Sequence, residues 1–220
     1  MKIVYDNNLL GSKECRAPWG FSLYLEEYKL LFDTGGNGRI LLKNLQKANV
    51  REMKYLFISH EHWDHIGGID SILEEFSNLT LFVPSSFSKN HIEDLKSLSK
   101  EVVVCDKGMR LFDNLYTTGV LGEEIPEQSL IIDSNEPTLI VGCSHFGIDK
   151  IVKTAKEIIS KDISTVIGGF HLLRSEKSEI LKVIESLKND GVKKVLPTHC
   201  SGDLAVKLFR ENFGNGFIEG

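Results

Sequence analysis

The stretch "LFISHEHWDHIGG", residues 56–68, decides how this chain is read. An apolar, β-branched run gives way to His60, His62, Asp64 and His65, four nitrogen and oxygen donors within six positions, and two glycines follow at once. None of the four is a good core-filler. Successive strand residues point to opposite faces, so His60 and His62, at the mouth of an expected strand "KYLFIS", are predicted to converge on one ion. Asp64 and His65 lie where the chain turns into a helix, within reach of a second point. Gly67 and Gly68 let the backbone pack close beneath the site.

Working outward, three more histidines end expected strands: His145 after "TLIVGC", His171 after "STVIGG" and His199 after "KVLP". Open α/β sheets place ligands at the carboxyl ends of their strands. His91, inside the polar helix "KNHIEDL", reads as a solvated surface residue. Imidazole and carboxylate together suit zinc, iron or manganese rather than an all-oxygen magnesium or calcium cage. Two such ions about 3.5–4 Å apart would hold a hydroxide between them, and metal binding lowers the pKa of water to roughly 7.

The rest of the chain reads as strands and helices in both halves. Strands are expected at "KIVY", "FSLYLE" and "YKLLFDTG", the last two joined tightly at Glu26–Glu27, then at "LTLFVP" and "EVVVC". Hairpins follow around Asp113–Asn114 and Asn135–Glu136. Helical spacing appears in "RILLKNLQKA", with Ile40, Leu41, Leu45 and Ala48 on one face, and in "GGIDSILEEF". From Gly147 the texture alternates. "IDKIVKTAKEII" carries Ile148, Ile151, Val152, Ala155 and Ile159 on one stripe, and the helices "SEILKVIESLKN" and "DLAVKLFREN" flank the strand "KVLPTH". Ser201 is expected to cap the last helix, with Gly202 and Asp203 in its first turn. Two sheets with helices outside would bury both textures, and no linker divides them, so residues 1–220 are read as a single domain.

Composition bounds the function. With 41% hydrophobic and 26% charged residues the chain is ordinary globular. A net charge of −5 and scattered lysines and arginines argue against nucleic acid. The beginning lacks the features of a signal peptide, and no apolar stretch approaches the length of a membrane span. Cys15, Cys105, Cys143 and Cys200 are widely spaced and read as reduced thiols, so the expected compartment is the cytoplasm, without a membrane or nucleic-acid partner.

At this point the sequence resembles the metallo-β-lactamase fold superfamily, whose signature H-x-H-x-D-H stands here as "HEHWDH". The upstream "LLFDTG" looks like its first motif, in which Asp33 would steady the histidine loop. The implied fold is α/β (α+β), a four-layer αββα sandwich. By resemblance, His60, His62 and His145 would hold one metal, and Asp64, His65 and His199 the other. Zinc is the expected ion, with iron or manganese as alternatives. Finer segments ("YDN", "WGFSLYLE", "GCSHFGI", "GGFHL", "PTHCSG") resemble the dihydropterin–ribofuranosylaminobenzene phosphate synthase-like branch, which is associated with a pterin transfer that displaces diphosphate.

Two departures stand out. Val120 replaces a common superfamily histidine, and Cys143 replaces the aspartate that bridges the metals, leaving Cys143 either a thiolate ligand or an inert buried residue and the second metal weaker. The stretch 69–126 is also short for the branch, which implies a more open pocket; the loops near 84–92 and 119–128, Glu127 included, would shape it. The resulting expectation is a metal-dependent hydrolase acting on an ester, lactone, amide or phosphoester, with Asp64 and His171 as catalytic candidates and a small molecule, phosphorylated or not, as substrate. Alternatives are a pterin-type transferase and a non-hydrolytic diiron module.

Overall fold

β-Branched, leucine and aromatic runs form twelve strands in two sheets among the residues described by the computed structural model, 1–8 and 17–219. Cys15 lies outside the described residues. The chain divides into two units, Met1–Asp106 and Lys107–Gly220. Two sheets accompanied by helices make the mixed α/β class expected from the sequence.

In the first unit the strands run in chain order across the sheet: β1 (Lys2–Asp6), β2 (Phe21–Leu25), β3 (Leu30–Phe32), β4 (Tyr55–Phe57), β5 (Thr80–Pro84) and β6 (Glu101–Cys105). The pairings β1–β2 and β2–β3 are antiparallel, and β3 to β6 are parallel. Parallel neighbours need crossovers, and helices supply them: α1 (Gly38–Lys47), the one-turn α2 (Trp63–Ile66) with α3 (Ile69–Glu75), and α4 (Lys89–Leu98). Asn37 caps α1 by accepting from the Ile40 N–H, and Ser88 caps α4 by accepting from that of His91. Leu41, Leu45, Ile69, Ile72 and Leu95 bury the helices' apolar faces in one core with Leu31, Leu56 and Leu81.

The second unit repeats the scheme. β7 (Lys107–Phe112), β8 (Leu115–Gly119), β9 (Leu130–Ile132) and β10 (Thr138–Val141) form an antiparallel meander; β11 (Thr165–Gly169) and β12 (Lys194–Thr198) then add in parallel to β10. Both expected hairpins form, with Asp113 at φ 44° in the first turn. The crossovers are α5 (Ile148–Ile159) and α6 (Lys177–Asn189), and α7 (Asp203–Phe213) follows β12. The residues α5 buries are the five of its predicted stripe.

Three local expectations are corrected. The strand expected over "KYLFIS" is limited to Tyr55–Phe57: the Ile58 N–H still bonds to the Phe82 carbonyl, but that of Ser59 is taken by the Asp33 carboxylate instead of a neighbouring strand. The helix expected over 67–76 is α3 alone, with Asp64 and His65 in the separate turn α2. Ser201 does not cap α7: its hydroxyl accepts from the Phe170 N–H (3.0 Å) and donates to the Thr198 carbonyl (2.7 Å), and Gly202, at φ 83°, opens the helix instead.

Candidate metal centre

In the first unit the donors are arranged by one buried carboxylate. Asp33 follows β3 in the left-handed region (φ 54°) and is wholly buried. It accepts from the Ser59 N–H (2.7 Å), the Ser59 hydroxyl (2.7 Å) and His65 Nδ1 (2.6 Å). An ionised carboxylate only accepts, so Nδ1 of His65 carries the proton and Nε2 presents its lone pair. That Nε2 lies 3.6 Å from Asp64 Oδ2. Ser59, having donated to Asp33, accepts from His60 Nδ1 at 2.9 Å, which fixes the other histidine in the same sense. His60 Nε2 then stands 3.1 Å from His62 Nδ1. Two nitrogens bound to one tetrahedral zinc, each about 2.0–2.1 Å from it, are about 3.3 Å apart. The donor set therefore fits a metal.

This convergence does not come from the pleat, since His60 and His62 both lie beyond β4. The loop is held by Thr34: its hydroxyl donates to the His65 carbonyl (2.9 Å) and accepts from the Gly68 N–H (3.1 Å). A Cβ on Gly68 would sit 2.5 Å from the Thr34 carbonyl oxygen, and one on Gly67 2.6 Å from that of Trp63. The glycines after the motif are thus sites of close backbone approach, as expected. His91 is only partly exposed, a correction: Phe87 stacks on its ring (4.7 Å), and Nδ1 lies 3.0 Å from the Glu61 carboxylate inside the motif.

In the second unit, the parallel neighbours β10, β11 and β12 bring their carboxyl ends to one edge. His145 follows β10 by four residues, His171 follows β11 by two, and His199 comes directly after β12. Ser144, His171 and His199 all adopt left-handed backbone (φ 62°, 53° and 50°), uncommon for residues with a side chain and concentrated here at the strand ends. The His145 and His171 rings lie 4.3 Å apart. Both line an open cleft of about 330 Å³ with Glu123, Glu124, Phe146 and Lys150. Glu127 is buried and accepts from the Phe146 N–H (3.0 Å), so it shapes the cleft from behind.

Two thiols share this edge. Cys143 and Cys200 are buried, and with Cys105 they stand outside any disulfide. The Cys200 thiol donates to the Cys143 carbonyl (3.5 Å). Burial opposes ionisation of Cys200, but hydrogen bonds with Cys143 and His171 and the nearby His199 hold its pKa well below the ordinary thiol value. The hydrogen bond with Cys200 raises His171 above the ordinary imidazole value, with help from the Cys200 and Glu127 charges and against desolvation and Arg174. Cys105, by contrast, is pushed up to about 12 by burial.

Sequence reasoning passed over Ser59 and Thr34, which orient the histidine loop. The available signal was position: Ser59 immediately precedes the motif, and Thr34 follows Asp33. From the sequence Cys200 reads only as one of the reduced thiols.

Residues 22–85 match the family model described as the metallo-beta-lactamase superfamily. The chain is 27% identical to the 7,8-dihydropterin-6-methyl-4-(beta-D-ribofuranosyl)-aminobenzene-5'-phosphate synthase of Methanocaldococcus jannaschii, over 86% of this chain and 81% of that one. An uncharacterized protein of the same organism is 25% identical over 100% of this chain and 96% of its own length. Among solved structures, Tm1679, described as a metal-dependent hydrolase of the beta-lactamase superfamily, superposes with a TM-score of 0.80 and 26% identity, covering 98% of this chain and 93% of that one.

Proposed function

We propose that the chain is a metal-dependent hydrolase of a small phosphorylated ester, a reading supported by the match of residues 22–85 to the metallo-beta-lactamase superfamily model and by the likeness to Tm1679. His60, His62 and His145 are proposed to hold one ion, and Asp64, His65 and His199 a second. The pairing follows the superfamily resemblance, and the donor geometry within each unit supports it. The observation that carries the reading is the relay from Asp33 through Ser59 to His60, and directly to His65, which turns a lone pair of each ring away from the carboxylate. A bound metal supplies Lewis acidity and an activated water.

The chain's own residues do the rest. Asp33, Ser59 and Thr34 hold the loop rigid, so that little reorganisation is needed when a ligand arrives. His171, on the cleft wall, is the donor placed to meet a leaving-group oxygen. Lys150 gives the same cleft a cation for a phosphate, while Glu123 and Glu124 at its rim disfavour a polyanion.

The test is turnover by metal-free and metal-reconstituted protein on phosphomonoesters, phosphodiesters, lactones and thioesters. Metal-dependent hydrolysis strongest on a phosphorylated substrate is expected; no metal-dependent turnover on any of them would end the proposal. The dihydropterin-linked name of the Methanocaldococcus jannaschii relative supports a second reading, a transferase that releases diphosphate. Diphosphate release that requires an amine acceptor would select it.

A further inference from the structure

Of the seven histidines, His91 alone belongs neither to the proposed ligand sets nor to the cleft. It is nonetheless held by three contacts, all within the first unit. Its backbone N–H donates to Ser88 at the start of α4 (3.2 Å), and its ring stacks on Phe87, the planes 14° from parallel. Nδ1 lies 3.0 Å from the carboxylate of Glu61, the residue between His60 and His62. We propose that His91 is a positioning residue for the metal centre: by holding Glu61 it keeps the imidazoles of His60 and His62 convergent. The inference rests on the metal-centre reading above and adds to it a support from α4.

The mount comes from the core. Phe87 and Leu95 are buried in the core of the first unit, so the His91 ring sits on a helix anchored before and after it. A carboxylate only accepts, so Nδ1 of His91 is the donor to Glu61. The motif loop is itself fixed on either side of Glu61. Ser59 is tied to Asp33 and accepts from His60 Nδ1, while the His62 carbonyl accepts the N–H groups of His65 and Ile66 (2.9 and 3.1 Å) as α2 begins. Among the described residues, the hydrogen bond with His91 is the one tie that Glu61 itself makes. The backbone at Glu61 sets how closely the His62 ring approaches that of His60, and their facing nitrogens stand 3.1 Å apart.

Solvent limits the size of the effect. The Glu61 and His91 side chains are 46% and 25% exposed, and exposed pairs contribute little when both partners must be ordered to meet. Here the cap and the stack have already ordered His91, which leaves only Glu61 to be immobilised. Losing the pair is therefore expected to cost about fivefold in metal affinity, below the roughly 10–100-fold typical of groups bonded directly to a ligand. The role assigned to His91 is orientation alone.

Cobalt(II) titration of the metal-stripped full-length chain tests it, followed by the visible absorption of the bound ion. H91A and E61A are each expected to weaken binding about fivefold, and E61A/H91A no further, because both remove the same interaction. H91N, whose side-chain amide can donate from the place of Nδ1, should recover most of the affinity. The metal-free melting temperature of H91A should stay within about 2 °C of wild type, as for a surface change. Wild-type affinity in H91A, or additive losses in the double variant, would overturn the proposal. So would an affinity loss matched by a large drop in the metal-free melting temperature with no recovery in H91N, which marks a mere prop for the fold. A wild type that binds no cobalt would remove the metal centre itself and this support with it, an outcome distinct from wild-type binding that H91A leaves unchanged.

Discussion

Asp33 shows how much one side chain can organise. Its carboxylate is the acceptor for a backbone N–H, a hydroxyl and an imidazole N–H, all buried, and it sets the orientation of two histidines. Truncating it leaves three buried donors without their acceptor, each costing about 1–3 kcal/mol. D33A is therefore expected to lose roughly 3 kcal/mol or more in urea unfolding and 10–100-fold in zinc affinity, measured against a chromophoric chelator. D33N should recover part of the stability but little of the affinity, because an amide donates where the carboxylate accepted. Zinc binding by D33A equal to wild type would show that the relay does not orient the ligands. The motif that contains these histidines was plain in the sequence, and so was Asp33 as its support. The reason for their convergence was not: the pleat argument assumed a strand that reaches His60, whereas pairing stops at Phe57 and Ser59 makes the connection.

Strand β11 carries the tightest constraint at the level of elements. It lies between β10 and β12, and Gly168, at φ 129°, would place a Cβ 2.0 Å from the Val141 carbonyl oxygen. No side-chain rotation relieves a clash with backbone, so β10 and β11 would have to separate at the edge that bears His145 and His171. G168A is expected to destabilise the protein by more than about 2 kcal/mol, through strain and a broken ladder. It should also depress metal-dependent activity in the fraction that stays folded. An unfolding midpoint within error of wild type would contradict this. Helix α5 was legible for the opposite reason: its five-residue apolar stripe repeats at helical spacing, and burial of that stripe needs no information from elsewhere in the chain. The start of α7 was not legible. A serine beside a helix is a plausible cap from local preference, but the hydroxyl of Ser201 is already committed to Phe170 and Thr198.

At the scale of the whole molecule, each unit follows antiparallel pairing with parallel pairing and carries its metal-type donors on loops after the parallel strands. A ligand that binds only the folded form stabilises it by mass action, about 2.7 kcal/mol at a free concentration one hundred times the dissociation constant. Zinc at that excess is expected to raise the melting temperature by roughly 5–10 °C for a chain of this size, and a chelator should reverse the shift. The shift should shrink as the pH is lowered, because protons compete with metal for the imidazoles. A melting temperature indifferent to zinc and chelator would argue against any ordered metal centre. No helix among the described residues is long and apolar enough to cross a membrane.

The sequence by itself determined the superfamily motif, the α/β texture and the principal amphipathic stripes, because these are set by residue type and by short periodicities. Only the tertiary structure decided that Ser59 and Thr34 brace the histidine loop, that Gly202 rather than Ser201 opens α7, and that Cys143, His171 and Cys200 meet at one edge. Those outcomes depend on hydrogen bonds and close approaches between residues far apart in the chain, and no local preference encodes which distant partner a buried hydroxyl, thiol or imidazole will find.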